Sequence, residues 1–185
     1  MRLFTGKGDD GTTDLLGERV AKNDPRIGLI GVLDETTSFI GLGRAHAKSE
    51  QTKAWLEEFQ RDLYKIMAEL AFTDELRPES FVIHHDRVDR LEELTDKITA
   101  DIELPPHFIL PGDTVPGAAL DIARTVVRRA EREAVHLLET GVITNHEIVK
   151  FLNRLSSFIF ASARYEDHEA GVTPLKAKGS GDGDG

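Results

Sequence analysis

Cysteine is absent from this 185-residue sequence. Its absence excludes disulfide bonds, thiolate catalysis, iron–sulfur clusters and zinc sites built from cysteine. Long hydrophobic runs are missing too, because no segment approaches the roughly 18 consecutive apolar residues of a transmembrane helix. The first residues lead into glycines without the apolar stretch of a signal peptide. The sequence therefore predicts a soluble, cytoplasmic protein that does not enter a membrane.

Positive charge is scarce as well. The chain carries 23 basic against 33 acidic residues, which gives a formal net charge of -10. A negative potential of this kind repels nucleic acids and anionic membranes, so a general binder of either is excluded. Any site for an anion must therefore be local. The length suits one domain with a substantial core.

Helical periodicity dominates the sequence, and alternating strand patterns are almost absent. Five segments place apolar residues at every third or fourth position: 25–48, 55–70, 88–102, 115–140 and 145–170. Gly141 and Gly171 fit left-handed C-caps after the last two. The prediction is an all-α fold, a five-helix bundle of the ferritin-like up-down type over residues 25–171. A glycine-rich segment (1–24) precedes the bundle, and a flexible tail (172–185) with few apolar residues follows it.

The fourth predicted helix concentrates arginine in this acidic chain, at positions 124, 128, 129 and 132. At about 100° per residue, one border of its core stripe carries Arg124, Arg128 and Glu131. The stripe itself contains Ile122, Val126, Val127, Ala130 and Ala134. Half-buried guanidinium groups at such a border can bind a carboxylate or a phosphate through two parallel hydrogen bonds. Charge at helical spacing more often indicates a solvated, salt-bridged surface, so the helix alone leaves both interpretations open.

Residues 5–17 concentrate glycine, threonine and aspartate ahead of the first helix. One interpretation is a nucleotide-binding loop, in which free main-chain amides close around phosphate. The Gly-Lys-Ser/Thr ending of a Walker motif is missing, so an ordinary P-loop fold is not supported. The other interpretation is a flexible N-terminal lead.

Five groups of residues occur in a characteristic order. They are residues 5–13 with Gly17-Glu18-Arg19, then Leu33-Asp34-Glu35, Phe108-Ile109-Leu110-Pro111-Gly112, residues 123–132, and Leu152-Asn153-Arg154-Leu155-Ser156. In this order they resemble the PduO-type ATP:cob(I)alamin adenosyltransferases, from Thr5 to about Ala163. The resemblance implies a homotrimer of five-helix bundles with active sites between subunits. It also implies that Co(I) of a reduced corrinoid attacks the ribose 5′ carbon of ATP, giving adenosylcobalamin and triphosphate.

The same resemblance assigns roles to individual residues. Mg²⁺ accompanies ATP, Glu131 orients that metal or an arginine, and Asn153 contacts the nucleotide. Arg124 and Asp34 match a salt bridge across the subunit boundary. Phe108 matches a phenylalanine that crowds the lower face of the corrin, so that Co(II) loses its axial base and is reduced more easily; packing in the core is its alternative role. The residues implied to contact the phosphates are Thr5, Gly6, Lys7, Gly8, Thr13, Asp14, Lys22, Arg128, Arg129 and Arg132.

Some positions depart from the family pattern. Thr36 and Thr37 stand where leucine and asparagine are expected, Asp113 replaces a second glycine after Leu-Pro-Gly, and no C-terminal aromatic residue is evident. Such changes are expected to affect the affinity for the corrinoid more than the affinity for ATP. The alternatives are a sensor of ATP or corrinoid, a protein that delivers adenosylcobalamin, and a purely structural trimeric bundle. A corrinoid reductase and an adenosylcobalamin-dependent enzyme are the partners that the resemblance implies.

Overall fold

The computed structural model describes residues 4–178, most of which lie in five long helices. The helices are Pro25–His46 (α1), Glu50–Ala71 (α2), His85–Asp101 (α3), Val115–Glu139 (α4) and His146–Glu169 (α5). A turn of 3₁₀ helix, Glu79–Phe81, lies between α2 and α3. The predicted all-α five-helix bundle is confirmed. Within the described residues, no helix is long and apolar enough to cross a membrane.

Capping residues determine where the helices begin and end. The carboxylate of Asp24 accepts a main-chain N–H at 2.9 Å at the start of α1, and Pro25 supplies the fixed φ of the first helical position. Gly141 (φ 71°) and Gly171 (φ 69°) take the left-handed conformation after α4 and α5, as predicted. Side-chain caps of the same kind begin α2, α4 and α5: Ser49, Thr114 and Asn145.

Aromatic rings join α2 to α5 at the centre of the core. Trp55 packs edge-on against Phe158 with ring centroids 6.5 Å apart, and Phe59 packs against Phe151 at 6.2 Å. The later residue of α2 meets the earlier residue of α5, so these two helices are antiparallel. Offset and edge-on ring pairs add to the stabilisation from apolar burial alone. All five helices contribute buried residues to this one core.

The inner face of α4 differs from the predicted stripe at one position. Ile122 is 44% exposed, and Ala123, at 0%, takes the core position instead. Ile122 points about 140° away from Val127 around the helix axis, which places it outside the core-facing sector. Its inclusion in the stripe was therefore wrong. The other predicted members, from Val126 to Ala134, are buried.

The N-terminal segment contains a short antiparallel hairpin. Its strands are Thr12–Asp14 (β1) and Arg19–Ala21 (β2). At its turn, Leu16 donates its N–H to Ala71 O at 2.8 Å and accepts the N–H of Thr73 at 3.2 Å. The hairpin is thereby attached to the end of α2. Strands of three residues are too short to show the alternating pattern from which a strand is predicted.

The segment after α5 runs beside the loop that joins α3 to α4. Ile109 of the loop and Lys176 lie opposite each other in an isolated antiparallel bridge. Main-chain hydrogen bonds hold residues 172–178 there, although apolar side chains are few. Residues 179–185 of the predicted tail lie outside the described residues.

A buried ionic cluster joins the start of α4 to the end of α5. Arg164 is 4% exposed and donates to Asp121 at 2.8 Å and to Asp167 at 2.9 Å. Burial raises the pKa of the Asp167 carboxyl, which also accepts the hydroxyl of Thr114 at 2.6 Å. A Cβ on Gly117 would lie 2.5 Å from this carboxylate, so only glycine fits there. The cluster fixes the two chain segments that leave this end of the bundle.

Replacing Asp121 by alanine is expected to lower the free energy of unfolding by roughly 3–5 kcal/mol, because the buried Arg164 loses one of its two carboxylates. Chemical denaturation would measure this. Asp96→Ala is the matched control, since Asp96 is an exposed aspartate within α3. The control is expected to change stability by less than about 0.5 kcal/mol. Equal effects of the two substitutions would contradict a stabilising role for the cluster.

Candidate active site

A cleft of about 270 Å³ opens between α3, α4 and α5. Arg124 and Arg128 reach it from successive turns of α4. None of the described residues that line it is acidic, so the two guanidinium groups make the cleft locally positive. The other lining residues carry hydroxyl groups or are apolar: Thr95, Thr99, Leu104, Ser156, Ser157, Phe160 and Ala161.

The two arginines of this cleft differ in their partners. Arg124 is half-buried, its Nε donates to Asp121 at 3.4 Å, and its guanidinium carbon lies 6.0 Å from the centroid of the Phe160 ring. Arg128 is exposed, and its side chain has no hydrogen-bond or carboxylate partner among residues 4–178. The expected half-burial therefore holds for Arg124 and is wrong for Arg128. The charge of Arg128 is available to an external anion.

Arg129 and Arg132 lie on the side of α4 that faces α1. Arg129 forms an ion pair with Glu35 of α1, and its Nε is buried without a partner in the described part of the chain. Arg132 donates to the main-chain oxygen of Arg128 at 2.9 Å. Both arginines border a second, shallow cleft beside Pro25. Within one chain, the four arginines therefore face two different clefts.

Glu131 and Asn153, two of the predicted nucleotide-site residues, are in direct contact. Nδ2 of Asn153 donates to Oε1 of Glu131 at 2.8 Å. Arg154 donates to Oδ1 of Asn153 at 2.6 Å and to Glu92 at 2.6 Å, which orients the amide. Across the described residues, Oε2 of Glu131 has no hydrogen-bond partner. The pair thus links α4 to α5 and leaves one carboxylate oxygen for another ligand.

Lys22 and Gly8 lie against each other in the N-terminal segment. The main-chain N–H of Lys22 donates to Gly11 O at 2.8 Å. A Cβ on Gly8 would lie 3.2 Å from Nζ of Lys22 and 3.1 Å from the main-chain oxygen of Thr12, so a larger residue would crowd both. Two of the predicted phosphate-contacting residues are therefore adjacent.

The other predicted phosphate-contacting residues lie in the same hairpin region. Asp14 pairs with Arg19 at 2.7 Å, so its contribution to an anion site is confined to its main-chain N–H. Thr13 lies in β1, and Gly6 has a φ of 74° in a turn beside Thr5 and Lys7. Within residues 4–178, no hydrogen bond or ion pair joins this segment to the arginines of α4.

Asp34 and Arg124 are not paired within one chain. Asp34 is exposed on α1, and its carboxylate makes no ion pair within the described range. Arg124 instead bonds to Asp121 of its own helix. The salt bridge across a subunit boundary remains a prediction, and the exposed position of Asp34 is compatible with it.

Phe108 projects from the loop between α3 and α4. Its side chain is 90% exposed, so the alternative of core packing is wrong. Gly112, with a φ of 122°, allows the turn that follows it. An exposed large aromatic side chain on a loop that glycine bends is available to contact a ligand.

Neither Phe160 nor the pairing between Glu35 and Arg129 was predicted from the sequence. Phe160 lies 5.2 Å from the guanidinium carbon of Arg164 and also faces Arg124. It follows Ser156 by one helical turn, and this i,i+4 spacing from the Asn153 motif is the signal that could have located it. The Glu35 pairing joins two helices far apart in sequence, so no local pattern predicts it.

The chain thus combines a five-helix bundle, four arginines on α4 and a glycine-rich hairpin before α1. The sequence profile of the family described as cobalamin adenosyltransferase matches residues 3–166. The chain therefore belongs to this family, and the resemblance to PduO-type enzymes is confirmed. Because the match covers both the hairpin and α4, it includes every predicted site residue.

Several relatives have been named individually. The corrinoid adenosyltransferase PduO of Citrobacter freundii is 40% identical over 174 residues, which span 92% of this chain and 51% of that protein. This chain thus spans about half the length of that relative. The corrinoid adenosyltransferase of Bacillus subtilis is 37% identical over 93% of this chain and 90% of its own length.

Solved structures have the same fold. A variant of the PduO-type ATP:corrinoid adenosyltransferase from Lactobacillus reuteri, complexed with cobalamin and ATP, superposes with a TM-score of 0.87 at 33% identity. It covers 96% of this chain and 100% of that one. Another variant of that enzyme, complexed with ATP, gives a TM-score of 0.83 at 32% identity over 95% of this chain and 100% of that one.

Proposed function

We propose that this protein transfers the 5′-deoxyadenosyl group of ATP to the Co(I) ion of a reduced corrinoid. The lone pair of Co(I) forms a cobalt–carbon bond to C5′. The C5′–O bond breaks, and its electron pair leaves with the triphosphate. Cobalt is formally oxidised from Co(I) to Co(III), and no proton is transferred. Family membership and the relatives bound to ATP and cobalamin support this reaction.

The observation that carries the proposal is the unpaired guanidinium of Arg128 in a cleft without acidic lining. In a chain of net charge -10, a cation without a carboxylate partner is suited to a strongly charged anion. Triphosphate gains charge as the C5′–O bond breaks, and fixed positive charge stabilises it most in the transition state. Arg132 adds charge on the next face of α4, and Arg129 lies beside it, paired with Glu35. Lys22 and the amides of residues 5–8 and 13–14 complete the set.

The proposal includes a homotrimer, because Asp34 makes no ion pair within the described residues of one chain, whereas the family resemblance implies that it pairs with Arg124 across a subunit boundary. A neighbouring subunit would bring its hairpin to α4 and its Asp34 to Arg124. Exposed apolar side chains near this face support an interface, since Ile122 is 44% and Val115 60% exposed. Sedimentation velocity would test the assembly. A monomer at all concentrations would contradict it.

Mg²⁺ suits the residues of this site. It binds through one or two carboxylates together with substrate phosphates and water, so a large protein cage is unnecessary. Glu131 would be its protein ligand through Oε2, while Asn153 holds Oε1. The metal would neutralise phosphate charge when bound. Asn153 orients the carboxylate and offers its remaining hydrogen-bonding capacity to the nucleotide.

Glu131→Gln is expected to raise the Mg²⁺ concentration needed for half-maximal rate by about tenfold, in line with losses reported for residues around metal sites. Glutamine retains the contact with Asn153 but lacks the negative charge. Titration of Mg²⁺ at saturating ATP would measure the shift. Glu139→Gln, at an exposed glutamate at the end of the same helix, is the matched control. An unchanged Mg²⁺ requirement in Glu131→Gln would remove Glu131 from the metal site.

Two alternatives are separated by simple measurements. A structural bundle binds no nucleotide, whereas a nucleotide-binding protein gains about 2.7 kcal/mol of stability at 100 times Kd of MgATP. A sensor or delivery protein binds ATP but leaves Co(I) unchanged. The test of the proposed function is therefore anaerobic addition of MgATP to protein with cob(I)alamin. Loss of the Co(I) absorbance that depends on both protein and ATP is expected, and no loss would contradict the proposal.

The reaction also implies partners. Co(I) is generated by a one-electron donor, so a reductase is part of the proposal, as is an enzyme that uses adenosylcobalamin. A cytoplasmic location fits a protein that consumes ATP.

A further inference from the structure

The side chain of Phe108 does little to fix the position of this residue. With 90% of that side chain exposed, its position depends on the main chain around it. The loop that carries it, residues 102–114, joins α3 to α4 and contains glycine at position 112, which permits several backbone conformations. A residue that must crowd one face of a bound corrinoid needs a more definite position than such a loop provides alone.

The C-terminal strap, residues 172–178, supplies main-chain bonds to Phe108 and to Leu110, on the two sides of Ile109. The N–H of Ala177 donates to the main-chain oxygen of Phe108 at 2.9 Å. The N–H of Leu110 donates to the main-chain oxygen of Leu175 at 2.8 Å. The strap therefore pairs with the loop as a short antiparallel ladder around Ile109.

Asp113 adds a side-chain bond to this ladder. Its Oδ2 accepts the N–H of Leu175 at 3.1 Å. Asp113 is also the position where the sequence departs from the second glycine expected after Leu-Pro-Gly. The carboxylate thus connects the end of the loop to the strap, which a glycine could not do.

The loop and the strap leave the bundle from one buried base. Thr114 closes the loop and donates its hydroxyl to Asp167 at 2.6 Å, and the N–H of Val172 donates to the main-chain oxygen of Asp167 at 2.9 Å. Asp167 is held in turn by the buried Arg164. The loop and the strap are therefore both hydrogen-bonded to the same residue. This fixes the positions from which the two segments run on to pair with each other.

We propose that the C-terminal strap and Asp113 are positioning elements for Phe108. They hold the main chain at positions 108–110 so that the phenyl ring of Phe108 faces the bound corrinoid. The role of the ring is the one that the family resemblance implies, and it rests on the proposed function. The strap, in a chain without an evident C-terminal aromatic residue, acts through its backbone.

Two pairs of variants of the full-length protein test this. Ala177→Pro removes the N–H that bonds to Phe108, whereas Lys176→Pro removes an N–H that makes no bond in the ladder. Asp113→Gly removes the carboxylate that accepts the N–H of Leu175, whereas Asp113→Asn retains an acceptor oxygen. Thermal unfolding of each variant would establish that the bundle is intact.

The first readout is spectroscopic: the fraction of protein-bound cob(II)alamin in the four-coordinate form, in the presence of MgATP. Losing one such hydrogen bond is expected to lower this fraction by about five- to tenfold in Ala177→Pro and Asp113→Gly. Lys176→Pro and Asp113→Asn are expected to stay within about twofold of the parent protein. Parent-like fractions in both Ala177→Pro and Asp113→Gly would overturn the proposal.

The second readout separates this proposal from the function on which it rests. Adenosylation is measured from cob(II)alamin with a reductant and from chemically reduced cob(I)alamin. The proposal expects a larger loss from Co(II) than from Co(I) in Ala177→Pro and Asp113→Gly. Equal losses from both would overturn it, while leaving the transferase activity of the parent protein established. No adenosylcobalamin from Co(I) in the parent protein would overturn the proposed function itself.

Discussion

Replacing Arg128 by alanine is expected to lower the rate of adenosylation from Co(I) by about 10²–10³-fold, the usual loss when one preorganised transition-state donor is removed. Arg128 is exposed in the cleft between α3, α4 and α5 and has no carboxylate partner in the described structure. Its substitution therefore strands no buried charge, and the fold should remain stable. Anaerobic kinetics with cob(I)alamin, together with equilibrium binding of MgATP, would measure the effect.

Arg61→Ala is the matched control for that substitution. Arg61 is an exposed arginine on α2 whose side chain pairs with Glu57 at 2.6 Å. Its loss should change the rate by less than about twofold, since exposed ion pairs contribute little. Arg128→Lys is expected to be intermediate, because lysine keeps the charge but lacks the planar fork. Similar rates for Arg128→Ala and Arg61→Ala would exclude Arg128 from the nucleotide site.

Phe108→Ala is expected to lose about tenfold or more of the adenosylation that begins from Co(II), equivalent to at least about 1.4 kcal/mol of barrier. The ring is proposed to exclude the axial base from the lower face of the corrin, which makes Co(II) easier to reduce. ATP binding should persist, because Phe108 lies on the loop after α3 and does not border the arginine cleft. The rate from chemically reduced Co(I) should fall less.

Val142→Ala provides the comparison for loss of an exposed apolar side chain. Val142 is 42% exposed and follows α4 at the opposite end from the Phe108 loop. The substitution should leave the rates of adenosylation from Co(II) and from Co(I) within about twofold of those of the parent protein. Turnover from Co(II) that is unchanged in Phe108→Ala would remove Phe108 from the mechanism.

The helices could be predicted from the sequence because local signals agree there. Asp24-Pro25 begins α1, Gly141 and Gly171 end α4 and α5, and apolar periodicity runs between these points. Ile122 was misplaced because it lies near the edge of the stripe, where packing against neighbouring helices decides burial. The hairpin was missed because its three-residue strands depend on contacts with the end of α2 rather than on pattern.

For the candidate site, the sequence proposes residues but not their geometry. The order of motifs identified Arg128, Glu131 and Asn153, and the structure brings the last two into contact. Which arginines face which cleft depends on the packing of α1 and α5 on α4, and a helical wheel cannot resolve that. The pairing of the strap with the Phe108 loop joins residues far apart in sequence by main-chain atoms, so side-chain identity carries almost no signal for it.

The most direct test is to quantify adenosylcobalamin and triphosphate in the same anaerobic samples after mixing the protein with chemically reduced cob(I)alamin and MgATP. The two products should appear together and in equal amounts, because the bond that joins C5′ to cobalt forms as the bond to triphosphate breaks. Binding of MgATP with neither product formed would contradict a transferase. That result would instead favour a protein that senses ATP or delivers the corrinoid.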